Sequence, residues 1–258
     1  MGNTKFEECY LRSRDEILSV EKLQEIHGKH DGEYDDKYYG DFYCPECFAA
    51  QLSFHPNAQT PHFKTKPSAK HEEDCSYNFK SAKKKELEDY CYNSDNHDSI
   101  NRKLKTCLEL LNKSPKKQKS IQTRGEAANN SKYNYFTFGE GEARRSIRRK
   151  KLSMPLHEDH DYNIPMIFYG IVFAEWDLRN DNMKYIRLRN AKTDKYICAI
   201  TVSKNIYFYI DDSMKFDNKR KCDIAFITSM VRKEKFNNCA ISYSTELIIS
   251  NISTQSIL

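Results

Sequence analysis

No stretch of this chain is apolar for long enough to cross a bilayer, and its opening, Met1-Gly-Asn-Thr-Lys-Phe-Glu-Glu, lacks the apolar centre of an export signal. A cytoplasmic location is the expectation. Glycine is scarce, at eight residues in 258, and none lies in a phosphate-cradling loop that opens a helix, which argues against nucleotide hydrolysis. The chain has no internal repeat. Its one tryptophan, Trp176, has no cysteine pair placed around it in the antibody-domain manner. Nine cysteines are present, but the count is odd and Cys9, Cys91, Cys107, Cys198, Cys222 and Cys239 are widely scattered. Without an export signal they read as reduced thiols. A hydrophobic content of 38% beside 31% charge describes a soluble, rather polar protein.

What is present begins with Cys44-Pro-Glu-Cys47 and His71-Glu-Glu-Asp-Cys75, two ligand pairs spaced for a tetrahedral metal ion, with zinc (Zn2+) the expected one. A Cys-x-x-Cys turn brings two thiolates to one metal. His71 and Cys75, four residues apart, face the same way if the segment turns helically. Between the pairs, Phe54-His55-Pro56-Asn57-Ala58 and Pro61-His62-Phe63 read as turns and short strands. His62 is a fifth candidate ligand; the more regular spacing to Cys75 places His71 ahead of it. Three thiolates and an imidazole close the coordination sphere, so the site reads as structural rather than catalytic.

The stretch from Tyr43 through Phe54, with Pro61-His62-Phe63-Lys64 and His71-x-x-x-Cys75, resembles the zinc-binding N-terminal module of competence protein CoiA-like bacterial proteins. In that family a Cys-Pro-x-Cys pair precedes a His-Phe dipeptide and a further ligand, and the module precedes a nuclease or another nucleic-acid-related domain. Cys9 to Leu18 would form the hairpin that leads such a ribbon. The resemblance covers about residues 1–80 and implies metal binding in a nucleic-acid context. Lys64 and Thr65 stand where the family continues with Ala-His, and no nuclease motif follows the module.

The expected fold class is α+β, in four parts. Residues 1–80 form the zinc-ribbon module, with a helix from Ser19 to about His27 that buries Val20, Leu23 and Ile26, and an acidic, tyrosine-rich loop from Tyr34 to Tyr39. Residues 81–114 form a helical pair; its second member, capped by Asp98 or Ser99, repeats Ile100, Leu104, Cys107, Leu108 and Leu111 on one face and ends near Ser114-Pro115. Residues 115–163 form a basic linker or arm. Residues 164–258 form an all-β, barrel-like domain of the oligonucleotide/oligosaccharide-binding (OB) type, with a β-sandwich as the alternative. Its expected strands are Met166–Glu175, Lys184–Arg189, Tyr196–Val202, Ile206–Ile210, Asp223–Val231 and Ala240–Ile249.

Charge is unevenly distributed. Residues 102–151 carry 15 Lys and Arg against 4 Asp and Glu, whereas residues 1–101 carry 13 against 20. Arg144, Arg145, Arg148, Arg149, Lys150 and Lys151 put six cations into eight residues, a pattern that attracts polyanions because neutralised phosphates release counterions. Lys116, Lys117 and Lys119, with the aromatics Tyr133, Tyr135, Phe136 and Phe138, fit binding of single-stranded DNA or RNA by backbone contact and stacking. His157, His160 and the acids between and after them form a weaker candidate for a second metal, and Asp217-Asn-Lys219 is only a trace of a nuclease motif. The sequence therefore points to a non-enzymatic nucleic-acid- or nucleoprotein-binding protein with structural zinc and no membrane partner. A protein–protein adaptor is the second reading and a metal-dependent nuclease the third. The Lys-, Asn- and Tyr-rich composition suits a bacterial accessory element.

Overall fold

A computed structural model describes residues 5–29, 38, 40–73, 75–111, 136–158, 161–179 and 182–253. The Tyr34–Tyr39 loop apart from Tyr38, the helix end near Ser114-Pro115, and Lys116 through Tyr135 lie outside the described residues. The architecture is mixed α and β, mostly sheet, in two compact units. One unit draws on residues 1–80 and 113–146, the other on residues 81–112 and 147–258. The expected four-part division differs from this. The helical pair belongs with the C-terminal sheet, and the supposed linker is divided between the units.

In the first unit, strands β1 (Lys5–Phe6), β2 (Glu8–Leu11) and β3 (Glu16–Ser19) lead into helix α1 (Val20–Lys29), followed by β4 (Phe42–Tyr43), β5 (Leu52–His55) and β6 (His62–Thr65). Two three-stranded sheets result, ordered β3-β2-β4 and β1-β6-β5. The β2–β3 hairpin pairs Cys9 with Leu18, and alternation along β2 turns Cys9 and Leu11 inward. Ser19 caps α1 by accepting the Lys22 amide at 3.3 Å. Phe6, Leu11, Leu23, Phe42, Leu52 and Phe63 form the core, together with Cys44, Cys47 and Cys75. A small ribbon of β7 (Thr137–Phe138) and β8 (Arg145–Ser146) completes the described part. Its turn requires Gly139, whose φ is 77° and where a Cβ would come within 2.9 Å of the Ala143 carbonyl oxygen.

The second unit contains α2 (Lys84–Tyr92), α3 (His97–Leu111), β9 (Arg149–Lys151), β10 (Pro165–Asp177), β11 (Met183–Asn190), β12 (Tyr196–Ser203), α4 (Lys204–Tyr209), β13 (Arg220–Ser229), β14 (Val231–Lys233), β15 (Phe236–Ala240) and β16 (Leu247–Ser253). The sheet runs β14-β15-β12-β11-β10-β13-β16, with β9 added in parallel to β10. Its path ends at β14 and β16, so among the described residues no closed barrel forms. One face carries the core: Phe168, Val172, Trp176, Ile186, Leu188, Ile200, Ile224 and Phe226. The opposite face of β10, β13 and β16 is where α3 packs, burying Ile100, Leu104, Cys107 and Leu108 as their spacing requires. Among the described residues no helix is long and apolar enough to cross a membrane.

Two expected strands are corrected. Ile206–Ile210 lies largely within α4, because the Ser203 hydroxyl accepts the Ile206 amide at 3.4 Å and Ile206, Tyr207 and Ile210 meet the core at helical spacing. Ala240–Ile249 is broken by a 3-10 turn at Ser244–Glu246 into the end of β15 and the start of β16. Glu246 holds that turn. It is 4% exposed, and its Oε2 accepts the Ser242 and Tyr243 amides at 2.6 and 3.2 Å.

Burial raises the Glu246 carboxyl from 4.5 to about 7, although the two amide donors oppose the shift. The unfolded chain therefore releases this proton at lower pH than the folded one does. This single group then makes stability fall as pH rises from about 4.5 to about 7 and adds no further slope above that. Denaturant titrations of Glu246→Gln and the parent chain across that window should differ in slope, the variant losing less stability. Parallel curves would contradict the assignment.

Candidate metal centre

Cys44 leaves β4 and Cys47 closes the following turn, with the Phe48 amide donating to the Cys44 carbonyl at 3.0 Å and the Cys44 amide to the Ala50 carbonyl at 2.8 Å. The Glu46 amide points at Cys44 Sγ from 3.4 Å, an orientation that favours a thiolate there. The turn is tight enough to hold Phe48 at φ 58°, a left-handed conformation that costs a non-glycine residue about 1 kcal/mol or more. Phe48 is retained there by edge-on packing against Tyr10 at 4.8 Å and by Arg12, which donates to its carbonyl at 3.3 Å.

The second pair arrives beyond β6. His71 Nδ1 lies 3.5 Å from Cys47 Sγ and 3.4 Å from Cys75 Sγ, and Cys44 Sγ lies 3.9 Å from Cys75 Sγ. All four donor atoms fall within 4.8 Å of one another. Around a tetrahedral ion with sulfur at about 2.3 Å and nitrogen at about 2.0–2.1 Å, sulfurs stand ~3.8 Å apart and sulfur and nitrogen ~3.5 Å apart. The residues fit such an ion. His71 is aimed by Thr65, whose Oγ1 is 3.0 Å from Nε2, and its ring lies 5.9 Å from both Phe6 and Tyr77, which pack on each other at 4.5 Å.

His62 is outside the tetrad. Its Nδ1 is hydrogen-bonded to the Thr60 carbonyl at 2.8 Å and its ring stacks on His55 at 5.3 Å. Hairpin pairing explains this, since His55 and His62 are directly opposite across β5 and β6.

Electrostatics agrees with the geometry. Hydrogen bonds from Cys44, Cys75 and His71 hold the Cys47 thiol far below its ordinary range. Burial pushes Cys44 up, and the sharing of protons with Cys44 and Cys47, followed by burial, pushes Cys75 up. The pocket by itself thus works against thiolates at Cys44 and Cys75. A dication would support three, because its charge replaces the water that burial excludes. Cys44, Cys47 and Cys75 are 0%, 8% and 3% exposed and His71 is half-buried, so the three sulfurs are shielded from solvent.

The sequence reading missed the brace beside this centre. Glu46, within the Cys-x-x-Cys turn, is 8% exposed and accepts the Ser76 amide at 2.6 Å and the Ser76 hydroxyl at 2.5 Å. It thereby ties the first pair's turn to the backbone just after Cys75. No spacing rule marks such a residue; a carboxylate inside an apolar turn is its only signal.

The basic run is built into strands rather than forming an arm. Arg144 donates to Thr137 Oγ1 at 3.0 Å and lies 4.4 Å from the centre of the Phe79 ring. Arg145, in β8, donates to the Glu142 and Arg144 carbonyls. Arg149, Lys150 and Lys151 are β9, paired with Ile167, Phe168 and Tyr169. Lys150 and Asp161 are each 2% exposed and form an ion pair at 2.9 Å, which Arg148 joins at 3.6 Å. Lys150 is therefore not available to a phosphate in this fold. Asp161, a member of the weaker second metal candidate, is taken by that pair and by the His157 amide at 2.8 Å; His160 lies outside the described residues.

Comparisons with protein-family models, with curated proteins and with solved structures found no match.

Elemental analysis should find one metal ion per chain. Cys75→Ser or Cys44→Ser should abolish it and unfold the first unit, since binding at such a site contributes about 10 kcal/mol or more of folding free energy. His71→Ala should be nearly as damaging and His62→Ala mild; the reverse order would reassign the ligand. Glu46→Ala should leave metal stoichiometry intact yet weaken metal affinity about 10- to 100-fold, as losses of ligand-orienting partners do. Competition with a chromogenic chelator measures both effects.

Proposed function

We propose that the tetrad holds zinc in a structural role and that the protein binds nucleic acid, single-stranded DNA or RNA, without catalysis at the metal. The observation that carries the first half is the converged Cys3His set, whose three soft, buried thiol ligands suit zinc and whose four donors would fill a tetrahedral coordination sphere. Support for the second half is the concentration of cationic residues between positions 102 and 151, together with the resemblance to CoiA-like modules. Arg144, Arg145, Arg148, Arg149 and Lys151 are half-buried and held by strands or hydrogen bonds. Cations held in this way lose less side-chain freedom on meeting phosphate than cations of a loose arm would. The OB-like reading contributes only its general mode, single strands lying on a sheet surface.

The adaptor reading has its own support. Phe208 and Tyr209 on α4 are 69% and 80% exposed, a pair of large aromatics that nothing in the described fold requires at the surface. The nuclease reading rests on the resemblance alone and predicts divalent-dependent cleavage of nucleic acid.

A variant carrying Arg144→Gln, Arg145→Gln, Arg149→Gln and Lys151→Gln should weaken oligonucleotide binding similarly across sequences. It should flatten the log–log salt dependence by about 3, four phosphate contacts at roughly 0.7–0.9 each. Lys150→Gln should act differently, costing about 3–5 kcal/mol of stability by leaving Asp161 without its buried partner. Unchanged affinity and slope in the fourfold variant would move the adaptor reading ahead.

A further inference from the structure

Among the described residues, one end of the second unit's sheet is uncovered. Because Ile186, Leu188, Cys198, Ile200 and Cys239 turn into the core, strand alternation sends Tyr185, Arg187, Phe236 and Asn238 to the opposite face; the register shift at Leu188/Arg189, which pairs Tyr196 with Arg189, brings Tyr196 to that face as well, and β14 adds Lys233 opposite Phe236. On β10, β13 and β16 that same face is where α3 packs; over β11, β12, β15 and β14 the side chains border an open depression of about 510 Å³. Phe236 is 55% exposed and meets Tyr196 edge-on at 5.6 Å, so its ring is held from one side with a face left to solvent. Tyr196 is fixed in turn, its hydroxyl donating to the Asn237 carbonyl at 3.1 Å.

We infer that this depression is where the bases of a single-stranded nucleic acid stack. The inference rests on the nucleic-acid reading above and adds a location to it. Three features select this occupant. Rings with accessible faces on a rigid sheet offer stacking platforms that accept any base, whereas a duplex keeps its bases stacked among themselves. Cations flank the rings: Arg187 and Arg179 both pair with Asp177, at 2.5 and 2.7 Å, so one carboxylate answers two guanidiniums, and Lys233 lies on the far rim beside Glu234. Aliphatic side chains are nearly absent from the lining, Ala199 being the exception, so its apolar surface is supplied mainly by the flat rings of Tyr185, Tyr196 and Phe236. The size lies within the range of small-ligand sites, enough for one or two nucleotides of a strand that continues along the sheet.

The test uses the full chain with its metal bound and fluorescent oligouridylate and oligothymidylate as probes, read by anisotropy. The parent protein should bind, and Tyr185→Ala with Phe236→Ala should lower affinity about tenfold or more, as loss of base–aromatic stacking does. Phe236→Tyr should retain affinity and Phe236→Leu should not, which separates stacking from apolar docking. Phe208→Ala with Tyr209→Ala, exposed aromatics elsewhere on the unit, should change nothing. If the parent binds and the Tyr185 and Phe236 variants bind equally well, the surface is wrong while the nucleic-acid reading stands. Equal loss in the α4 control, or full binding by Phe236→Leu, would also overturn the stacking site. A parent protein that binds neither probe at low salt would remove both, and a protein partner lost on Phe236→Ala in that circumstance would assign the face to the adaptor.

Discussion

Three cysteine sulfurs and an imidazole nitrogen share a space inside the apolar core of the first unit, and the rest of that unit depends on how their charge is managed. The strands there are two to four residues long, far short of what stabilises a sheet in isolation. Hairpin β2–β3, hairpin β5–β6 and the loop carrying His71 are tied together where the ligands converge. Burial raises the Cys44 thiol and hydrogen bonds with Cys44 and Cys47 raise that of Cys75, so a cation held among the four residues would stabilise thiolates that this core otherwise disfavours. A metal ion held there would act in this unit as a large hydrophobic side chain does in a bigger domain, as the point from which the packing radiates.

The second unit has no such dependence. Its strands are long, β10 running thirteen residues, and their alternation supplies a core large enough to stand on apolar burial. Charge enters that unit at defined points instead. Lys150 and Asp161 fasten β9, and Glu246 fastens the turn before β16. Each satisfies backbone or opposite charge that would otherwise be stranded in a dry interior.

A common physical theme joins the proposed binding surfaces to these fastenings. A cation that is already oriented, whether by a ring, a carbonyl or a carboxylate, meets a phosphate with less loss of freedom than a free one. Arg144 over Phe79 and Arg187 at Asp177 are both of this kind. The same partners also blunt their charge, which favours many moderate contacts over a few strong ones.

Local sequence was enough for whatever depends on near neighbours. Cys44 to Cys47 and His71 to Cys75 named the four residues that converge, because a metal accepts few residue types at few spacings, and α1, α3 and the strands β10 to β13 followed from periodicity. Choosing His71 over His62 by spacing agreed with the fold, but the cause lies in the pairing of β5 with β6, which turns His62 onto His55. Other features were decided only in three dimensions. The run from Arg144 to Lys151 reads as an arm until β10 is present to pair with β9 and Asp161 is present to neutralise Lys150. Ile206 to Ile210 reads as a strand until the Ser203 cap and the packing of Ile206, Tyr207 and Ile210 on the core select a helix. Closure of the sheet likewise depends on which edges meet. Composition says whether a side chain can be buried or charged; only the chain's return from a distance says which partner makes that burial stable.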